Sequence, residues 1–200
     1  SFVQLLFALG VLVVIISGGI DVSFPVVGIF SGYSAVVLMK HFDWNPGNVL
    51  LPIALAIVIG VILGALNSIA IASFGIPTLI ATLGTSGIFR GIMLTFIGSS
   101  FISDIPAALD KFATADLLKI QPAEGTLARL HVLIIPVVII TILVSLMLNR
   151  TMFGRSVYAL GGGVEATRRL GISIKRTQAK VYMFVGGISG LAGILYVSLQ

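Results

Sequence analysis

The chain has no cysteine and only two histidines, His41 and His131. Disulfides and thiolate metal sites are therefore excluded, and no His/Glu spacing suits a metal ion. Charge is scarce as well. Charged side chains make up 10% of the 200 residues, where a soluble domain carries about a quarter. The sequence contains no G-x-x-x-x-G-K-[ST] phosphate loop and no G-x-S-x-G nucleophile elbow. An enzyme is not expected, and energy for any active transport must come from a gradient or another subunit. What is present is apolar: 58% hydrophobic residues and a mean hydropathy of +1.16. That composition defines an integral membrane protein.

Hydrophobic runs mark six segments, 3–17, 22–39, 50–73, 76–97, 132–148 and 181–199. The third, 24 residues long, spans a core of about 30 Å with some tilt. The expectation is an all-α, polytopic transmembrane helical bundle with broken helices, forming one transmembrane domain over 1–200. The first residues, Ser1-Phe2-Val3, lie inside an apolar run without an initiator Met. The chain is accordingly expected to be an internal piece of a longer membrane protein.

The few charges are unevenly placed. Arg150 to Lys180 holds seven of the twelve basic residues and one of the seven acids, so the net positive charge resides there and nucleic acid is not an expected partner. The positive-inside rule puts residues 149–180 in the cytoplasm. Residues 98–131 then lie outside, with Asp104, Asp110, Asp116 and Glu124 against Lys111, Lys119 and Arg129. This exterior loop reads equally as a solvated connector or as a docking surface.

Four groups of residues could carry function. Ser17-Gly18-Gly19-Ile20-Asp21-Val22-Ser23 follows a short apolar segment, and the paired glycines and Pro25 weaken a continuous helix. Broken spans often mark translocation paths. Asp21 is open to three readings: a cap for the next helix, a hinge element, or a contact with the transported solute. Arg90, inside the fourth segment, either snorkels to the outer headgroups or pairs with Asp21. Pro77, Thr82, Gly84 and Gly87 belong to a polar, glycine-interrupted patch that suits close helix packing or a polar path. Asn67, in an apolar run, reads as interhelical hydrogen-bond glue. Within the basic segment, Gly161-Gly162-Gly163 leads into a helix predicted over 164–170 and stopped by Gly171. Glu165 near its start and Arg168-Arg169 near its end suit the helix dipole. Such a short, well-terminated helix suits insertion into a partner's cleft; the plainer alternative is a loop that only sets topology.

Three blocks resemble one family. Ser17–Ser23 is similar to S-G-G-I-D-L-S. Ile76-Pro77, Thr82-Leu83-Gly84 and Arg90-Gly91 are similar to I-P-x-x-I-x-T-L-G…R-G. The third block runs from Phe153-Gly154-Arg155 through Tyr158–Gly162 and Glu165-Ala166 to Arg168 and Gly171-Ile172. Together they resemble the permease subunits of bacterial ATP-binding-cassette importers of the ribose, xylose, arabinose and galactose type, related to branched-chain amino-acid permeases. Pro25, Gly163 and Arg169 depart from the usual pattern.

The resemblance implies a multi-pass inner-membrane permease forming the path for a ribose-like sugar. It further implies a periplasmic sugar-binding protein, a second permease copy (identical or related), and cytoplasmic ATPase subunits that use the ATP; this chain itself would bind no cofactor. Gly161, Gly162, Glu165, Ala166, Arg168 and Gly171 would form the ATPase-coupling loop. Gly18, Gly19, Asp21, Ser23, Pro77, Thr82, Gly84 and Arg90 are the candidates for the translocation path or its hinges. The alternative is a secondary transporter driven by protons or sodium, with Asp21 as the coupling carboxylate.

Overall fold

The computed structural model describes residues 2–44, 47–96, 107–120 and 128–199. Ile97, which closes the fourth expected segment, lies outside the described residues, as do 98–106 and 121–127 of the expected exterior loop. The architecture is an all-α polytopic bundle. Its elements are α1 (Phe2–Ile16), α2 (Phe24–His41), α3 (Leu50–Ser68) continued by a π-helical turn (Ile69–Ser73), α4 (Thr78–Phe96) and α5 (Ala107–Thr114). A two-stranded antiparallel ribbon, β1 (Asp116–Ile120) and β2 (Ala128–His131), precedes α6 (Ile134–Arg150), α7 (Met152–Gly162), α8 (Val164–Arg169) and α9 (Ile174–Val197).

The count of six spans does not carry over. Among the described residues four helices are long and apolar enough to cross a membrane: α2, α3 with its π turn, α4 and α9. A fifth span exists only if α6 and α7 are taken together across a 73° bend. At 15 residues, α1 rises only about 22 Å, short of a hydrocarbon core of about 30 Å. The helix that holds the sixth apolar segment is longer than the segment itself. The backbone of α9 begins seven residues before the uncharged run at Val181, with Lys175, Arg176 and Lys180 in its first turns. Apolar content reports the medium around a helix, whereas hydrogen bonding continues past the membrane surface.

The bundle is built around α9, which is buried without interruption from Val185 to Leu195. Lipid tails are as apolar as leucine, so close contact between helices comes from small residues rather than from hydrophobic drive. Ala56, Gly60 and Gly64 of α3 meet Gly190, Gly186 and Tyr182 of α9 in antiparallel order. A methyl group on Gly60 would strike the Gly186 carbonyl, and one on Gly186 would strike that of Gly60. On the opposite side, Gly32 of α2 presses against the backbone of Gly193. By contrast α4 has only Ala81, Thr82 and Phe89 buried, and Gly84, Gly87 and Gly91 face open space.

Pro25 does not disrupt α2. It occupies the first helical turn, where a missing N–H costs nothing and the fixed φ suits a helix.

Candidate functional site

The chain between α1 and α2 is the centre of the site. Helix α1 is closed by Gly18, whose φ of +80° is left-handed. Gly18 N–H donates to Ile15 O (2.9 Å) and Gly19 N–H to Val14 O (3.0 Å), the pair of bonds that ends a helix in a glycine turn. Ser17 Oγ adds a third bond, to Val14 O at 2.7 Å. Residues Gly19 to Ser23 then run without helical structure before α2 begins.

Extended backbone inside a bundle has polar groups that need partners. Two threonines on α4 supply them. Ile20 N–H donates to Thr78 Oγ1 at 3.1 Å, and Val22 N–H to Thr82 Oγ1 at 3.3 Å. The Thr82 hydroxyl lies 3.4 Å from the Ile20 carbonyl and 3.3 Å from that of Leu79, so its proton is shared between them. Thr78 and Thr82 are four residues apart, which puts them one above the other on a single helix face. Pro77 stands immediately before α4, its carbonyl accepting from Ala81 N–H at 3.0 Å.

Asp21 is buried, with 7% of its surface exposed. Its Oδ1 accepts from both the backbone N–H and the hydroxyl of Ser23, each at 2.7 Å. Ser23 Oγ in turn accepts from Asn67 Nδ2 at 2.7 Å. The carboxylate thus orders the entry to α2, and Asn67 ties that entry to α3 just ahead of the π-helical turn. No ion pair joins Asp21 to Arg90, which is exposed farther along α4. Two buried side-chain oxygens among the described residues lack a well-formed hydrogen bond: Asn67 Oδ1 and the Tyr182 hydroxyl. The Tyr182 hydroxyl lies toward Thr78 and Asp21, and 3.0 Å from where a Cβ on Gly19 would stand.

The basic segment comes to this same place. Gly161, near the end of α7, packs its backbone on Ile16 to Gly18; a methyl group there would strike the Ile16 carbonyl. A Cβ on Gly18 would meet Gly161 Cα at 3.4 Å. Beside this contact lies a cleft of about 270 Å³ bordered by Gly19, Thr78, Gly161, Gln178 and Tyr182. Beyond Gly163, α8 is held to α7 by Thr167. That hydroxyl is fully buried and lies 2.6 Å from Ala159 O and 2.7 Å from Gly163 O. Gly171, with φ +72°, closes α8 through Gly171 N–H to Arg168 O (2.9 Å) and Ile172 N–H to Thr167 O (3.2 Å). Gly162, Glu165, Ala166 and Arg168 are exposed, together with the apolar side chains of Tyr158, Val164 and Leu170.

Of the candidate residues, the structure gathers Gly18, Gly19, Asp21, Ser23, Pro77, Thr82 and Gly161 at one end of the bundle. It leaves Gly84 and Arg90 facing away on α4, and the remaining coupling residues on the surface of α7–α8. Thr78, which belongs to the polar patch around Pro77, joins this arrangement, as do Thr167 and Tyr182, which were not among the candidate site residues. The spacing of Thr78 and Thr82 was the available signal. Thr167 and Tyr182 show their importance only through burial.

A multi-pass α-helical membrane protein with a polar break between two helices, braced by a second pair of helices, has the makings of a solute path. The chain belongs to the family described as "Branched-chain amino acid transport system / permease component", which it matches over residues 1–200. It is thus a membrane component of a transporter, seated in the inner membrane, and not an enzyme. It is 32% identical over 197 residues to the autoinducer 2 import system permease protein LsrC of Salmonella typhimurium, covering 98% of this chain and 52% of that one. The protein of the same name from Yersinia pseudotuberculosis is 34% identical over 197 residues, covering 98% and 52%. That from Enterobacter sp. is 30% identical over 198 residues, covering 99% and 54%. The chain spans about half the length of the curated relatives it matches. No solved structure matches it.

Proposed function

We propose that the full protein is the permease subunit of an ATP-driven importer that carries a small, sugar-like solute delivered by a periplasmic binding protein. The autoinducer 2 import permeases among its relatives support an import system, and the ribose-type resemblance of the three blocks supports a sugar-like solute. In this reading α7–α8 faces the cytoplasm, in keeping with the surplus of basic residues there. The exposed surface of Tyr158, Val164, Glu165, Arg168 and Leu170 receives an ATPase subunit, and a second permease copy completes the path.

The observation that carries the proposal is the contact of Gly161 with Ile16–Gly18. A helix exposed to a partner is joined, backbone to backbone, to the turn that leads from α1 into the polar, non-helical Gly19–Ser23 stretch. Displacement of α7–α8 therefore bears directly on the Gly19–Ser23 stretch, which Thr78, Thr82 and Asn67 hold in place. A packed backbone contact transmits displacement because it has no side chain to yield.

The test is solute uptake by vesicles containing the full-length protein, its ATPase subunit and its binding protein. Uptake is expected to require ATP, to persist with an uncoupler, and to stop when Glu165 and Arg168 are both replaced by Ala. Uptake abolished by the uncoupler despite ATP would instead favour gradient coupling.

A further inference from the structure

A second cleft, of about 240 Å³, lies at the opposite end of α7 from the Gly161 contact, between the first turns of α7 and the start of α9. Its lining divides by chemistry. Arg176, Lys180, Ser173 and Thr177 supply cations and hydroxyls from α9 and its cap, Ser156 adds a hydroxyl from α7, and Met152, Phe153 and Ile172 supply an apolar side. Met152 also takes the Arg155 guanidinium, whose Nη2 lies 2.7 Å from its Sδ.

The cations are uncompensated. Arg176 and Lys180 are exposed, one helical turn apart, and form no ion pair among the described residues. Glu165 is the only acid between Arg150 and Lys180. They also occupy the opening turns of α9, where the helix dipole favours negative charge. The cleft therefore presents an electrostatic demand for an anion, with the Ser173 hydroxyl beside it; the Ser156 and Thr177 hydroxyls donate to Met152 O and Ser173 O, each at 2.9 Å.

Position decides which anion. Lys180 immediately precedes the uncharged run Val181–Leu199, and Arg150 ends α6. The cleft thus sits where two apolar helices leave the hydrocarbon. Met152, 69% exposed, and half-buried Phe153, edge-on to Phe184 with ring centroids 6.4 Å apart, extend its apolar side toward the bilayer. Basic pockets between helices at this level bind anionic headgroups, and apolar surface beside them accepts acyl chains. We propose that this cleft binds an anionic phospholipid, its phosphate held by Arg176, Lys180 and Ser173 and its acyl chains lying along Met152 and Phe153. The lipid wedges α7 against α9 and so sets the angle at which α7–α8 is presented. This site stands independently of the solute and of the energy source.

The experiment uses full-length protein purified in mild detergent. Phosphatidylglycerol is measured as lipid retained by mass spectrometry and as the rise in Tm on titration, with phosphatidylcholine and inorganic phosphate as parallel probes. The wild type is expected to retain phosphatidylglycerol and to be stabilised by it but not by the other two. Arg176→Gln with Lys180→Gln is expected to weaken retention about tenfold, while Lys175→Gln with Lys111→Gln leaves it unchanged. Equal stabilisation of the wild type by phosphatidylcholine overturns the proposal without need of any variant. So does equal stabilisation by inorganic phosphate, which marks a free-anion site. Unchanged lipid retention in the double variant with loss of the ATPase subunit assigns the cations to a protein partner and likewise overturns it.

Discussion

Asp21 is the residue whose role the structure narrows most. A carboxylate at membrane depth is expensive and functional by default, yet here its Oδ1 is committed to the N–H and hydroxyl of Ser23. In the structure this oxygen acts as the acceptor that orders the entry to α2. Asp21→Asn keeps an acceptor oxygen and is expected to retain most uptake, whereas Asp21→Ala leaves both donors unmet and costs about 1–3 kcal/mol of stability. Loss of uptake in Asp21→Asn at unchanged Tm would point to proton or sodium coupling. Asn67→Leu removes one interhelical bond to Ser23 and is expected to cost about 0.6 kcal/mol, the average for such bonds in membranes. Thr167→Val deletes the bonds that hold α8 to α7. Amide exchange over Val164–Leu170 is expected to rise about fivefold or more, from the loss of about 1 kcal/mol of local stability.

At the scale of elements, the glycines divide into two populations. Those on α3 and α9 allow backbone-to-backbone packing, so Gly186→Leu must separate the two helices and is expected to cost about 3 kcal/mol or more. Gly84→Ala meets open space and is expected to be neutral or slightly stabilising through helix propensity, by at most about 1 kcal/mol. Thermal unfolding of the full-length protein measures both. Composition alone does not separate these populations, because a glycine in an apolar helix looks the same whether or not a neighbour covers it. Boundaries set by local chemistry were legible: Gly18 ends α1, Gly171 ends α8, and the third span runs from Leu50 to Ser73 as its apolar stretch implies. The 73° bend after Arg150 was not, since Thr151 can begin a helix by capping Gly154 N–H (3.0 Å) with no sign in hydropathy that the axis turns.

Across the whole molecule, parts of the three sequence blocks as far apart as Ser17 and Gly161, 144 residues, meet at one end of the bundle. Ser17–Ser23, Pro77–Thr82 and Gly161 touch because α1 and α3 finish, and α4 and α9 begin, at the same level. Each block alone reads as a helix break or a turn; only the tertiary arrangement joins them. The basic segment thereby acquires two faces. One packs Gly161 on the Ile16–Gly18 turn that leads into the Gly19–Ser23 stretch, and the other leaves Glu165 and Arg168 exposed.

The central claim is that the Gly161 contact carries movement from α7–α8 into the bundle. It is tested most directly by ATP-driven uptake and ATP hydrolysis in vesicles of the assembled importer, comparing Gly161→Ala with Gly162→Ala. A methyl group at Gly161 strikes the Ile16 carbonyl, whereas one at Gly162 meets nothing. The account predicts that Gly161→Ala still binds the ATPase and hydrolyses ATP but loses most uptake, while Gly162→Ala behaves as wild type. Full uptake in Gly161→Ala, or equal loss in both variants, would contradict it.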